Sequence, residues 1–167
     1  MLVSNHQSQF DIFLIYGWLG IDFKWVMKQE LRFVPGIGMA CNRLGHIFID
    51  RSDHAAAMTT LEEAKKKIVN GTSVMFFPEG TRSRDGKLMR FKKGAFRMAV
   101  DLGLPILPLT VTGTRDVLPA NTSNLLPGAA KLIIHEPISV EGVTARECQE
   151  LSDRVREVIA SSLSPRE

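Results

Sequence analysis

Apolar residues in this chain form short runs that alternate with helix-period stretches and with Gly- or Pro-marked breaks. Leu2 to Ser4 is a short apolar entry, and Ser8 to Leu19 has helical character. Phe23 to Met27 predicts a strand, followed by helical turns at Gln29 to Leu31 and about Ile37 to Arg43, broken by Pro35 and Gly36. His46 to Ile49 predicts another strand. In Ala55 to Val69 the apolar positions Ala57, Leu61, Ala64 and Ile68 recur at three- and four-residue steps, and Gly71 follows, which predicts a helix. Ser73 to Phe77 has the pattern of a buried strand, and Gly94 to Leu102 that of a helix stopped by Gly103. Ile106 to Thr112 and Lys131 to His135 predict strands. A last helix, about Ala145 to Leu163, places Cys148, Leu151, Val155, Val158 and Ile159 on one face.

Strand followed by helix, several times over, predicts an α/β fold: a single layered domain with a mostly parallel or mixed central sheet flanked by helices. Thr114 to Ala130, rich in Pro, Asn, Ser and Gly, is the longest irregular segment and reads as a loop over a site. No repeat or linker divides the chain, so residues 1–167 read as one domain.

Charge narrows the partners. With 21 basic and 18 acidic residues the net charge is +3, enough to suit an anionic substrate or a membrane surface. No interleaving of aromatic and basic residues supports nucleic-acid binding. The longest apolar run, Ile12 to Ile21, is broken by Gly17 and Gly20 and falls short of the about 20 residues a bilayer span needs. Cys41 and Cys148 have no metal spacing around them and suit a reduced compartment. His6, His46, His54 and His135 lack metal-ligand spacing, so no metal is expected. Gly36 to Cys41 lacks the third glycine of a dinucleotide loop, and no Gly-x-Ser-x-Gly elbow occurs.

Two clusters carry chemistry. In Asn5-His6-Gln7-Ser8-Gln9-Phe10-Asp11, His6 and Asp11 would lie about 140° apart on a common helix. They can meet only if His6 precedes the helix and Asp11 sits in its first turns, with Ser8 as N-cap. His6 then reads as a general base for a hydroxyl and Asp11 as the partner that fixes its tautomer. The plainer reading is a capping box, with Asp11 sealing a helix start and His6 solvated.

The second cluster, Phe77-Pro78-Glu79-Gly80-Thr81-Arg82-Ser83, places a charged turn at the carboxyl end of a buried strand, where α/β sheets bind ligands. Gly80 permits close approach, and Arg82 offers a fork of donors suited to phosphate. The plainer reading is a surface Glu–Arg pair, contributing about 0–1 kcal/mol. Arg51, after a strand, and Lys93, at a helix start where an anion is also favoured, are further cations for such a group. Lys92 reads as solvated, and Arg84, Lys87 and Arg90 as loop charges. His46 and His135 fall in strand patterns and read as structural.

The chain resembles the 1-acylglycerol-3-phosphate O-acyltransferases, the lysophosphatidate acyltransferases of phospholipid synthesis. Four blocks carry the likeness in order. They are Asn5-His6 through Asp11 (His-x4-Asp); Gly45-His46-Ile47-Phe48-Ile49-Asp50-Arg51, preceded by Lys28-Gln29-Glu30-Leu31 and Pro35; Phe77 to Ser83; and Pro105-Ile106-Leu107-Pro108-Leu109. A lone His-x4-Asp is weak, whereas the ordered set over residues 3 to about 113 is specific.

The resemblance implies a glycerolipid acyltransferase fold with His6 as base on the sn-2 hydroxyl and Asp11 as its orienter. Arg51, Arg82 and Lys93 would hold the acceptor phosphate, while Glu79, Gly80 and Thr81 shape its site. The donor would be acyl-CoA or acyl-ACP, attacked directly, with no cofactor. The expected product is phosphatidic acid, and the expected location is the cytoplasmic face of a membrane (the inner membrane if bacterial). Family members also carry an N-terminal hydrophobic segment that seats the domain on the membrane, and this domain reads as lacking it. Acylation of another glycerolipid or lysophospholipid, or lipid binding without catalysis, are the competing expectations.

Overall fold

The computed structural model describes residues 1–50, 56, 59–60, 63–64, 72–120 and 122–163. Contacts divide the chain into two compact units, Met1–Gly20 with Phe77–Glu167, and Ile21–Phe76.

The first unit begins with strand β1 (Leu2–Ser4) and helix α1 (Phe10–Trp18). The second unit holds β2 (Phe23–Lys28), a 3-10 turn at Gln29–Phe33, α2 (Ile37–Arg43), β3 (Ile47–Ile49) and β4 (Ser73–Phe76). The chain then returns to the first unit with α3 (Gly94–Leu102), β5 (Leu107–Thr112), the short α4 (Thr114–Val117), β6 (Lys131–Ile134) and α5 (Cys148–Ser161).

In the second unit β2 pairs in parallel with both β3 and β4, and Phe23, Trp25, Val26, Ile47, Ile49, Val74 and Met75 form its core. His46 is buried there and its Nδ1 accepts the Trp25 backbone N–H at 3.3 Å. Burial holds its pKa below the usual histidine value, as suits a neutral structural imidazole. The helix expected over Ala55 to Val69 lies largely outside the described residues; Ala56, Thr59, Thr60, Glu63 and Ala64 within it are helical.

In the first unit β1 and β5 are parallel, with Leu2 opposite Leu107 and Ser4 opposite Leu109, and β6 joins β5 antiparallel. Each unit therefore joins strands and helices, in keeping with the α/β expectation. Helix α3 is amphipathic: Ala95, Phe96, Met98 and Ala99 are buried, and Gly103 ends it at φ +63°. Helix α5 buries Leu151, Val155 and Ile159 at helical spacing and packs on α3 and β5. His135 follows β6, and its Nε2 lies 2.8 Å from Thr110 Oγ1, a structural contact as expected. The segment expected to be irregular from Thr114 opens instead with α4, because Gly113 at φ +77° turns the chain directly from β5 into a helical turn.

Asn5 sets where β1 ends. Its side-chain amide donates to the Val111 carbonyl at 2.9 Å and accepts the Val111 N–H at 2.8 Å. The side chain thus replaces one more backbone rung of the β1–β5 ladder and frees the chain to turn away. His6 is the next residue, at the carboxyl end of two parallel strands.

Candidate active site

His6 lies in the turn between β1 and α1, ahead of the helix, and Asp11 is the second residue of that helix. The separation removes the angular obstacle: His6 Nδ1 sits 2.7 Å from Asp11 Oδ2. Asp11 is fully buried, whereas the His6 side chain keeps 15% exposure. The same Oδ2 accepts the backbone N–H groups of Gln7 at 2.7 Å and Ser8 at 3.0 Å. The capping and orienting readings of Asp11 therefore hold together, since one oxygen gathers the turn's amides and the imidazole. The N-cap is Gln9 rather than Ser8, and Ser8 instead braces the turn before it, its Oγ accepting the Phe10 N–H at 3.0 Å and donating to the Leu118 carbonyl at 2.6 Å. With Nδ1–H donated to a buried carboxylate, Nε2 is left as the basic nitrogen.

The Glu79 turn is tied to His6 at three points. The His6 amide donates to Glu79 Oε1 at 2.7 Å, the Ser83 amide donates to the His6 carbonyl at 2.9 Å, and the Phe77 ring stacks on the imidazole at 3.9 Å, within 8° of parallel. Glu79 Oε2 accepts the Met89 amide at 2.9 Å, so both carboxylate oxygens hold backbone. Burial pushes the Glu79 carboxyl from 4.5 up to about 7, against the opposing pull of those two amides. Gly80 makes the turn at φ +77°, a conformation that L side chains avoid.

Around this frame, Arg82 is half-buried and Thr81 exposed. Lys93 caps α3 and lines a cleft of about 450 Å³ with Arg90, Phe91, Lys92 and Gln149. Lys92 is exposed, in keeping with its reading as solvated, and stands beside the turn. Its amide donates to the Pro78 carbonyl at 2.9 Å, and its ammonium would stand 2.9 Å from a methyl group placed on Gly80. Arg51 lies outside the described residues. A second, apolar cleft of about 370 Å³ runs along α1 between Phe10, Phe13, Leu14, Trp18 and the stretch from Gly128 to Ile134. Of the apolar residues in and beside α1, Ile15 belongs to the core, while Phe13 and Trp18 stand exposed at the cleft.

Residues 1–112, which include the His6–Asp11 pair and the Glu79 turn, match the acyltransferase family model. The chain belongs to the acyltransferase family. It is 37% identical over 97% of its length to the chloroplastic 1-acyl-sn-glycerol-3-phosphate acyltransferase BAT2 of Brassica napus. It is 33% identical over 93% of its length to the human 1-acyl-sn-glycerol-3-phosphate acyltransferase alpha. The chain covers 46% of the first relative and 56% of the second, so it spans about half the length of these curated relatives. The crystal structure of the 1-acyl-sn-glycerophosphate (LPA) acyltransferase PlsC from Thermotoga maritima superimposes with a TM-score of 0.74 at 35% identity, covering 98% of this chain and 67% of that one.

Three contacts around His6 and the Glu79 turn were not evident from sequence. Phe77 is the ring that stacks on the His6 imidazole; its place before Pro78 in the Glu79 block was the available signal. Lys92, beside Gly80, was obscured by an adjacent lysine. Arg156, whose contacts reach back to residues 88 and 89, left no local signal at all.

Proposed function

We propose that this protein transfers a fatty acyl group from a thioester, acyl-CoA or acyl-ACP, to the sn-2 hydroxyl of 1-acylglycerol 3-phosphate, forming phosphatidic acid. The His6–Asp11 pair carries the reading, because Asp11 Oδ2 lies 2.7 Å from Nδ1 and leaves Nε2 available as base. Nε2 takes the hydroxyl proton as the oxygen attacks the thioester carbonyl, and Asp11 stabilises the imidazolium that forms. Collapse of the tetrahedral intermediate breaks the carbon–sulfur bond, and the imidazolium returns the proton to the departing thiolate.

Arg82 and the lysines at 92 and 93 supply cations for the acceptor phosphate, with Arg51 as a further one from the sequence. Glu79, Gly80 and Thr81 shape the turn that presents them. The apolar cleft along α1 suits a fatty chain, and it starts on the helix whose first turn orients the base. Direct transfer needs no enzyme thiol, and burial pushes the Cys41 and Cys148 thiols up, away from nucleophilic use. The scheme uses no metal or other cofactor, since the thioester arrives already activated. Both lipid substrate and product favour a bilayer, which supports a reaction at a membrane surface; the cytoplasmic face is part of the same proposal. No helix among the described residues is long and apolar enough to cross a membrane.

The test is thiol release from acyl-CoA with and without lysophosphatidate. Release that requires the acceptor supports the proposal, and His6→Ala should lower it roughly 100- to 10,000-fold while the far-UV spectrum stays unchanged. Release of equal rate with a phosphate-free acceptor would favour another glycerolipid substrate. No release from any thioester would favour a lipid-binding module.

A further inference from the structure

Arg156 lies on α5, beyond the residues the family model covers, yet its guanidinium reaches the turn that holds the base. Its Nε–H donates to the Met89 carbonyl at 3.0 Å and an Nη2–H donates to the Leu88 carbonyl at 2.8 Å. Two consecutive carbonyls do not face the same way in extended backbone. Here both turn to one planar fork, in a stretch (residues 87–90) with no helix or strand to fix it.

The Leu88 carbonyl and the Met89 N–H belong to one planar trans peptide, so they point in opposite directions. Arg156 holds the oxygen end. The hydrogen end donates to Glu79 Oε2 at 2.9 Å, and Glu79 Oε1 accepts the His6 amide at 2.7 Å. Cation, peptide dipole and carboxylate are thereby aligned head to tail, a favourable order for each link. The chain of contacts ends on the backbone of the residue whose Nδ1 meets Asp11.

We propose that Arg156 is a positioning residue for the acyl transfer, fixing the Leu88–Met89 peptide so that Glu79 holds the His6 backbone in register with Asp11. The role rests on the acyltransferase reading of His6. The Arg156 guanidinium donates to the Leu88 and Met89 carbonyls rather than to the imidazole, and it acts through Glu79.

The test compares Arg156→Met and Arg156→Lys with wild type, alone and combined with Glu79→Gln. Arg156→Met should lower kcat about 10- to 100-fold, the scale of a small misplacement of a catalytic group, with the acceptor KM little changed. Arg156→Lys, which keeps the cation but loses the fork, should recover part of that kcat. In the Glu79→Gln background the Arg156→Met loss should largely vanish, because the two act in series. Hydrogen exchange should quicken at the Met89 and His6 amides in Arg156→Met, with the core of α5 still protected.

Wild-type kcat in Arg156→Met, a full additional loss in the double variant, or unchanged exchange at those two amides would each overturn the proposal. If Arg156→Met fails to fold, Arg156→Lys carries the same comparisons. If wild type turns over no acceptor, the functional reading fails, while amide exchange still decides whether Arg156 fixes the Glu79 turn.

Discussion

Glu79→Gln separates what the site needs from what the fold prefers. Glu79 is only 4% exposed, and burial raises its carboxyl from 4.5 to about 7. Between those values the unfolded chain has released the proton that the folded chain still binds. Wild-type stability contributed by this residue is therefore present below 4.5 and declines as pH rises to about 7, where it levels off. At 1.36 kcal/mol per pH unit the decline amounts to roughly 3 kcal/mol. Glutamine is neutral throughout and close in shape to the protonated acid. Each then faces the two backbone amides with one acceptor oxygen and one hydrogen-bearing group.

The two proteins should thus match near pH 4. By pH 7.5 the variant should be the more stable by up to about 3 kcal/mol, or roughly 6–12 °C in melting temperature for a chain of this size. His46 and His135, whose pKa values burial lowers, destabilise the fold in the opposite direction as pH falls, but they do so in both proteins and cancel. Urea unfolding of both proteins from pH 4 to 8 gives the difference curve. A flat difference, or a wild type more stable at pH 7.5, would show that the amides of His6 and Met89 outweigh burial. The variant should also turn over more slowly, because it no longer offers a carboxylate to both amides.

Two substitutions test the base and the acceptor site from other directions. Asp11→Asn removes the negative charge that orients His6 and stabilises its imidazolium, and should lower kcat roughly 100- to 10,000-fold, measured as acceptor-dependent thiol release at saturating substrate. Equal kcat would dissociate the 2.7 Å contact from turnover. Arg82→Gln removes a charge-assisted contact of about 1.5–3 kcal/mol, so the KM for lysophosphatidate should rise roughly 10- to 150-fold. The donor KM should stay put, and an unchanged acceptor KM would exclude Arg82 from phosphate binding.

Much of this protein was legible one segment at a time. Helical periodicity located α3 and α5, and apolar runs located β2, β4 and β5, because burial of one face imposes a repeat of 3.6 or 2 residues wherever it occurs. The His6 and Glu79 blocks stood out through residue type and order. Angular geometry alone required His6 to precede its helix, and α1 starts at Phe10. Where α4 interrupts the expected loop, a single glycine at positive φ outweighed a run of turn-forming residues.

Tertiary structure decided which groups meet and how each is used. Glu79 reads in sequence as a surface partner of Arg82 or as a residue shaping the acceptor site, and folding directs both its oxygens to backbone amides, one of them across 73 residues. Asn5 completes a ladder across 106 residues, and Arg156 reaches back 67 to grip the Met89 carbonyl. Contacts of that range leave no period and no neighbouring signature. They depend on the directions that several packed elements impose together, and only the folded chain specifies those directions.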